Sequence, residues 1–136
     1  MKNPIEKIYV KNLRLHNAVQ RGFKSFKVIE DLVKNGVDIN NTQFDYTPLN
    51  EAIELGDEQM VRFLLNLGAD INKTDRDGFS PLQCALINEQ FELVKCLIEM
   101  GALDVYKYAN VNHSGKAELI SNNEIQVLEE AECAYE

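Results

Sequence analysis

TPLNEAIELGDEQMVRFLLNLGADIN, residues 47–72, decides the fold, because the chain writes it twice. From Ser80 it reads SPLQCALINEQFELVKCLIEMGALD. Thr47/Ser80, Pro48/Pro81, Leu49/Leu82, Ala52/Ala85, Leu64/Leu97, Gly68/Gly101 and Ala69/Ala102 are each 33 residues apart. A third copy lies upstream. Leu15, Ala18 and Gly22 match Leu49, Ala52 and Gly56 at an offset of 34. Val28, Ile29, Leu32, Val33, Gly36 and residues 38–40 match Met60, Val61, Leu64, Leu65, Gly68 and residues 70–72 at 32. The difference of two is an insertion in the turn RGFKSFK. A sustained period of this length marks a stacked repeat array.

Each letter of the repeat has a local reason. Pro48 and Pro81 suit a first helical turn, where a missing N–H costs nothing, and Thr47 and Ser80 suit the cap before it. Leu49, Ala52 and Ile53 fall on one face at i, i+3, i+4, as do Leu82, Ala85 and Leu86. Small Ala52 and Ala85 let paired helices approach closely. Gly56 closes the first helix in a left-handed conformation. A second helix follows with Met60, Val61, Leu64 and Leu65, or Leu93, Val94, Leu97 and Ile98, and Gly68 and Gly101 stop it. The chain then turns out into a finger, KTDRDGF, before the next copy. One helix pair cannot bury its apolar face alone, so neighbouring copies must supply the core.

TPLNEA, GDEQMVRFLLNLGADIN, SPLQCA and FELVKCLIEMGA resemble the ankyrin-repeat family over roughly residues 13–105. The resemblance is weaker in the first copy, where Leu13-Arg14 stands in place of Thr-Pro. It implies an all-α solenoid of stacked helix-turn-helix pairs with projecting β-turn fingers. The expected layout is a single ankyrin-repeat domain: an N-terminal capping helix (1–12), three repeats (13–44, 45–77 and 78–110) and a degenerate C-terminal capping repeat (111–136). In NPIEKIYVKN, Asn3 is the expected N-cap, Pro4 takes N1 and Glu6 N3, with Ile5, Ile8 and Tyr9 facing inward. Downstream, Gly115 and Leu119 fall where a finger glycine and a helix leucine belong. Leu32…Asn40 and Leu64…Asn72 resemble the spacing of asparaginyl hydroxylase substrates. The expected role of both Asn residues is to bridge the finger turn.

Composition bounds the function classes. With 136 residues, 45% apolar and 26% charged, the chain has room for one compact domain or a short array. Apolar runs of three or four residues are too short to span a membrane, and no segment reads as a signal peptide. Cys84, Cys96 and Cys133 are an odd set without CxxC spacing, so a reducing, cytoplasmic setting is expected. The net charge of −8 is unevenly spread, about +6 over residues 1–28 and −14 over residues 29–136. A field of that shape steers charged partners, and its acidic bulk argues against nucleic acid as a partner.

No nucleotide, zinc-protease or redox motif is present. Ser80 and Ser114 lack the His and acid of an activated nucleophile. DRDG (residues 75–78) lacks the later ligands of a calcium loop and reads as a turn. No catalytic, cofactor-binding or metal-binding residue is therefore expected. The alternatives are an enzymatic or metal site in the long third finger around His113, or a structural fragment of a larger assembly. His16 occupies the histidine position of the family's TPLH motif, which implies a hydrogen bond to backbone across neighbouring fingers.

Subtracting the repeat leaves the variable letters, which line the concave face formed by finger tips and first helices. Protein-binding candidates are Gln43, Phe44, Asp45, Tyr46, Arg76, Asp77, Phe79, Tyr106 and Tyr108 on the fingers, and Glu54, Leu55, Ile87 and Asn88 on the helices. Leu55 and Ile87, 32 apart and outside the core pattern, are expected to neighbour one another on an apolar strip. Apolar anchors within a charged rim are the anatomy of a protein interface. The expected partner is another protein with a basic surface, met by a monomer. Two situations fit: an inhibitor or immunity-type protein against a basic toxin or enzyme, or an inhibitor-of-NF-κB-like adaptor from a virus or host-associated microbe.

Overall fold

Thr47 Oγ1 accepts the Asn50 N–H at 3.0 Å, and Ser80 Oγ accepts the Gln83 N–H at 3.1 Å. Gln83 Oε1 in turn accepts the Ser80 N–H at 3.0 Å, completing a capping box. With Pro48 and Pro81 in the first turns, these caps set where the inner helices α3 (Pro48–Glu54) and α5 (Pro81–Ile87) begin. Their outer partners are α4 (Glu58–Asn66) and α6 (Phe91–Glu99), and the first pair is α1 (Pro4–Arg21) with α2 (Phe26–Lys34), joined by a 3-10 turn, Gly22–Ser25. The structure is a computed structural model and describes residues 3–102. The described residues hold helices and an isolated bridge between Phe44 and Tyr46, with no β-strand.

Each inner helix packs on its own outer helix and on the next inner helix. The core is a continuous seam of Leu15, Val19, Ile29, Leu49, Ile53, Met60, Leu64, Leu82 and Leu97, all under 2% exposed. Phe26 and Phe63 stack between the outer helices with ring centroids 4.0 Å apart and planes 5° apart. Polar side chains tie successive copies together. Asn50 Nδ2 donates to the Phe79 carbonyl at 3.1 Å, Gln90 Nε2 donates to the Ile53 carbonyl at 2.7 Å, and Asn40 Oδ1 accepts the Asp70 N–H at 2.8 Å. Asn40 thus bridges two copies, beyond its own turn.

The N-terminal segment differs from expectation. Asn3 does cap it, its Oδ1 accepting the Ile5 N–H at 3.1 Å. The helix then runs without a break to Arg21, so residues 1–12 are the first half of α1 and not a separate capping helix. The cause is plain in the letters: between Ile5 and Arg21 there is no Gly or Pro to stop a helix. Ile5, Ile8 and Tyr9 are 73%, 58% and 49% exposed, not inward, because α1 meets α2 and α3 along its later turns, where Leu15, Ala18 and Val19 are buried. The proposed cap over 111–136, with Gly115 and Leu119, lies outside the described residues.

Candidate protein-binding site

The finger DRDG is built by Asp75. Its Oδ1 accepts the N–H groups of Asp77 and Phe79, both at 3.0 Å, while its carbonyl accepts the Gly78 N–H at 3.1 Å. This turn brings Phe79 over the start of α5 and presents Asp77 to solvent. The preceding finger is clamped to it: the Arg76 N–H donates to the Asp45 carbonyl at 3.0 Å, and Arg76 Nη1 lies 3.2 Å from Asp45 Oδ1. Asp45 and Arg76, both candidates for partner contact, therefore face each other. Their side chains are more than half exposed, so the pair contributes little stability, at most about 1 kcal/mol.

Tyr46, Glu54, Asp77, Phe79 and Ile87 come together around one recess of about 270 Å³ on the seam between the second and third copies. Tyr46 is 42% exposed, Glu54 and Asp77 are exposed, and Phe79 and Ile87 are half-buried. Two further residues line the recess, Asp75 and Cys84, 6% and 4% exposed. Cys84 Sγ lies 4.0 Å from Asp75 Oδ2. Burial, reinforced by the charges of Asp75 and Glu54, pushes the Cys84 thiol up to about 12, so it is a neutral, unreactive wall and not a nucleophile. In the sequence Asp75 is legible as a turn residue, and the same geometry that makes the turn also places it in the recess. Cys84 is legible only as core.

The remaining candidates divide. Leu55 is 54% exposed and is not part of the recess wall. Its equivalent in the next copy is Asn88, both being C-caps, while Ile87 is equivalent to Glu54, both closing their helices. Leu55 and Ile87 are therefore not the same position in two copies, because the period here is 33 and not 32. Phe44 is half-buried between Tyr9 and His16, with edge-on ring contacts at 5.6 and 4.9 Å. Gln43 Oε1 accepts from Asn12 Nδ2 at 2.7 Å. These two residues brace the long α1 against the first finger. Tyr106, Tyr108 and His113 lie outside the described residues.

His16 departs from the family role. Its Nδ1 lies 2.6 Å from Glu51 Oε2 and its Nε2 lies 3.0 Å from Asn41 Oδ1, so its partners are side chains and not backbone. Gln20 Nε2 donates to the other Glu51 oxygen at 2.7 Å. Glu51 of α3 reaches back toward α1 and captures the ring, which leaves the backbone link across fingers to Asn50, at the matching position of the next copy. Among the described residues no group of three His, Cys, Asp or Glu side chains is arranged to hold a metal ion, and no helix is long and apolar enough to cross a membrane.

A family profile described as ankyrin repeats (three copies) matches residues 15–109. The ankyrin repeat domain of Bcl-3, described as a member of the IkappaB protein family, superposes with a TM-score of 0.64 at 28% identity, over 85% of this chain and 50% of that one. Among similar sequences, the "Probable 26S proteasome regulatory subunit p28" of Saccharomyces cerevisiae is 32% identical over 113 residues, 81% of this chain and 47% of that protein. BCL-6 corepressor-like protein 1 of Homo sapiens is 33% identical over 89 residues, 65% of this chain and 5% of that protein. An ankyrin repeat protein of fowlpox virus is 34% identical over 73 residues, 53% of this chain and 11% of that protein. The chain thus spans half or less of each of these relatives. The fold they share is characteristically a non-catalytic protein-interaction module. With its repeat letters, helix pairs, fingers and profile match in agreement, the chain belongs to the ankyrin-repeat family.

Proposed function

We propose that this chain binds another protein through its concave face, without chemistry of its own, and that the partner surface is basic. The observation that carries the reading is the recess of Tyr46, Phe79 and Ile87 edged by Glu54 and Asp77. Apolar anchors edged by like charges suit a partner that supplies the opposite sign. The charge of −14 over residues 29–136 supports the same sign of complementarity for the molecule as a whole. Within this reading the chain acts as a monomeric inhibitor of a basic toxin or enzyme, in the cytoplasm. The buried unpaired thiols Cys84 and Cys96 accord with a reducing compartment. A second reading, an inhibitor-of-NF-κB-like adaptor, is supported by the similarity to Bcl-3.

Pull-down from the native source tests the concave face. Leu55→Arg/Ile87→Glu should release the partner while leaving the circular dichroism spectrum unchanged, and raised salt should weaken capture by the unaltered chain. A partner held equally by both forms, at all salt concentrations, would place recognition elsewhere. The inhibitor and adaptor readings separate on what is captured, a basic enzyme or a transcription factor.

A further inference from the structure

We propose that the recess between the second and third copies is a socket for one cationic side chain, arginine or lysine, projecting from the partner protein; this rests on the concave-face reading. Its size admits a single long side chain. At about 270 Å³ it falls just below the ~300–1,000 Å³ of small-ligand sites. Its walls are chemically two-sided. Tyr46 and Phe79 hold equivalent positions on successive fingers and offer aromatic surface to a cation. Glu54, Asp75 and Asp77 supply three carboxylates, and among the described residues no Lys or Arg lines the recess. Arg76, within the same finger, is engaged with Asp45.

The strongest pointer to a cation is Asp75. It is 6% exposed and takes part in no ion pair among the described residues. One of its oxygens is used by the turn N–H groups; the other has, among the described residues, only the Cys84 thiol, a weak donor at 4.0 Å. The two N–H bonds fix this carboxylate in place, and a cationic group entering the recess would give its second oxygen a stronger donor than the thiol. The carboxylates are too dispersed to form a metal-holding group, which favours a long organic cation able to lie along an aromatic wall. An arginine so placed combines charge-assisted hydrogen bonds with ring contact. In an interface it would be an anchor of the kind that dominates binding energy.

The test uses two blocked pentapeptides, Gly-Gly-Arg-Gly-Gly and the same peptide with citrulline at the centre, titrated into the full chain and followed by amide proton–nitrogen spectra. Citrulline keeps the shape and loses the charge. The arginine peptide should shift the signals of Tyr46, Glu54, Phe79 and Ile87 with millimolar affinity. The citrulline peptide should not. Glu54→Gln/Asp77→Asn, which leaves the turn-building Asp75 in place, should weaken the arginine peptide by at least about tenfold, as expected for losing one charge-assisted contact. Equal shifts with citrulline, or no shifts at these residues with arginine, would overturn the socket. Partner pull-down separates the two levels. If Leu55→Arg, outside the recess, abolishes capture while Glu54→Gln/Asp77→Asn keeps it, the concave face stands and the socket falls. If neither affects capture, the concave-face reading itself fails.

Discussion

Glu89 has φ +54, a left-handed conformation that a residue with a Cβ adopts at a cost of roughly 1–2 kcal/mol. It sits at the turn after α5, where the Glu89 N–H donates to the Leu86 carbonyl and the Gln90 N–H to the Ala85 carbonyl. The preceding copy closes α3 with the same pair of bonds around Gly56, at φ +69. Glu89 is exposed and makes no ion pair among the described residues. Replacing it therefore relieves strain and gives back only the extra unfolded-state freedom of glycine, about 0.5–1 kcal/mol. Glu89→Gly should raise stability by up to about 1 kcal/mol, read as a higher urea midpoint at unchanged slope. A lower midpoint would show that the left-handed turn is held by something other than its own backbone. Cys84 supports a second prediction at this scale. Its thiol ionises near 9.0 when unfolded and is pushed up to about 12 when folded. As pH rises past 9 the unfolded chain loses this proton first, so the folded state loses relative stability across pH 9–12, by ~1.4 kcal/mol per unit once the unfolded thiol is ionised. Comparing the unaltered chain with Cys84→Ala isolates this loss: the stability difference between them should move against the unaltered chain from pH 8.5 to about 10.5. A pH-independent difference would mean that the folded thiol ionises as easily as the unfolded one.

Helix starts were legible and one helix length was not, and the difference lies in punctuation. Thr47-Pro48 and Ser80-Pro81 carry both the cap oxygen and the fixed proline φ, so two independent constraints mark the same residue. The first copy has Leu13-Arg14 instead. Neither residue stops a helix, and α1 extends upstream to Pro4. Residues 3–10 of the extension are exposed throughout, and among the described residues Tyr9 on Phe44 and Asn12 on Gln43 are its braces. Its first two turns should consequently exchange amide hydrogens far faster than α3 or α4, although all are helical. Exchange of residues 7–10 as slow as that of Leu64 would mean that the exposed apolar face is covered in solution. The grouping of the candidate residues was legible in part, and their register was not. Tyr46, Phe79, Glu54, Asp77 and Ile87 were identified by subtracting the repeat, and they do share one recess. Leu55 and Ile87 are out of register, since their spacing of 32 is one short of the period that relates the second and third copies. Phe44 could not be recognised as a brace, because its partner Tyr9 belongs to a helix that the sequence leaves unbounded.

At the scale of the molecule, contacts among the described residues run from each copy to the next, and stability should therefore be a sum of local terms and neighbour terms. Two polar links, both at least partly buried, test this on different seams. His16, with Glu51 and Asn41, joins the first copy to the second, while Gln90 donates to Ile53 and joins the third to the second. Removing either takes one bond from partners that keep others, Glu51 with Gln20 and the Ile53 carbonyl with the Gly56 N–H, a loss of about 0.5–1.5 kcal/mol. The two share no partner, so His16→Ala and Gln90→Ala combined should cost the sum of the single losses to within ~0.5 kcal/mol. Asn50→Ala removes the link to the Phe79 carbonyl on the same seam as Gln90, and that pair should depart from additivity by more than this. Urea unfolding of the three single and two double variants supplies every term. Strong coupling between His16 and Gln90 would mean that α3, which carries Glu51 and Ile53, transmits a shift from one seam to the other. The recess at the second seam would then respond to changes at the first, and the fingers could not be treated as independent parts of one binding face.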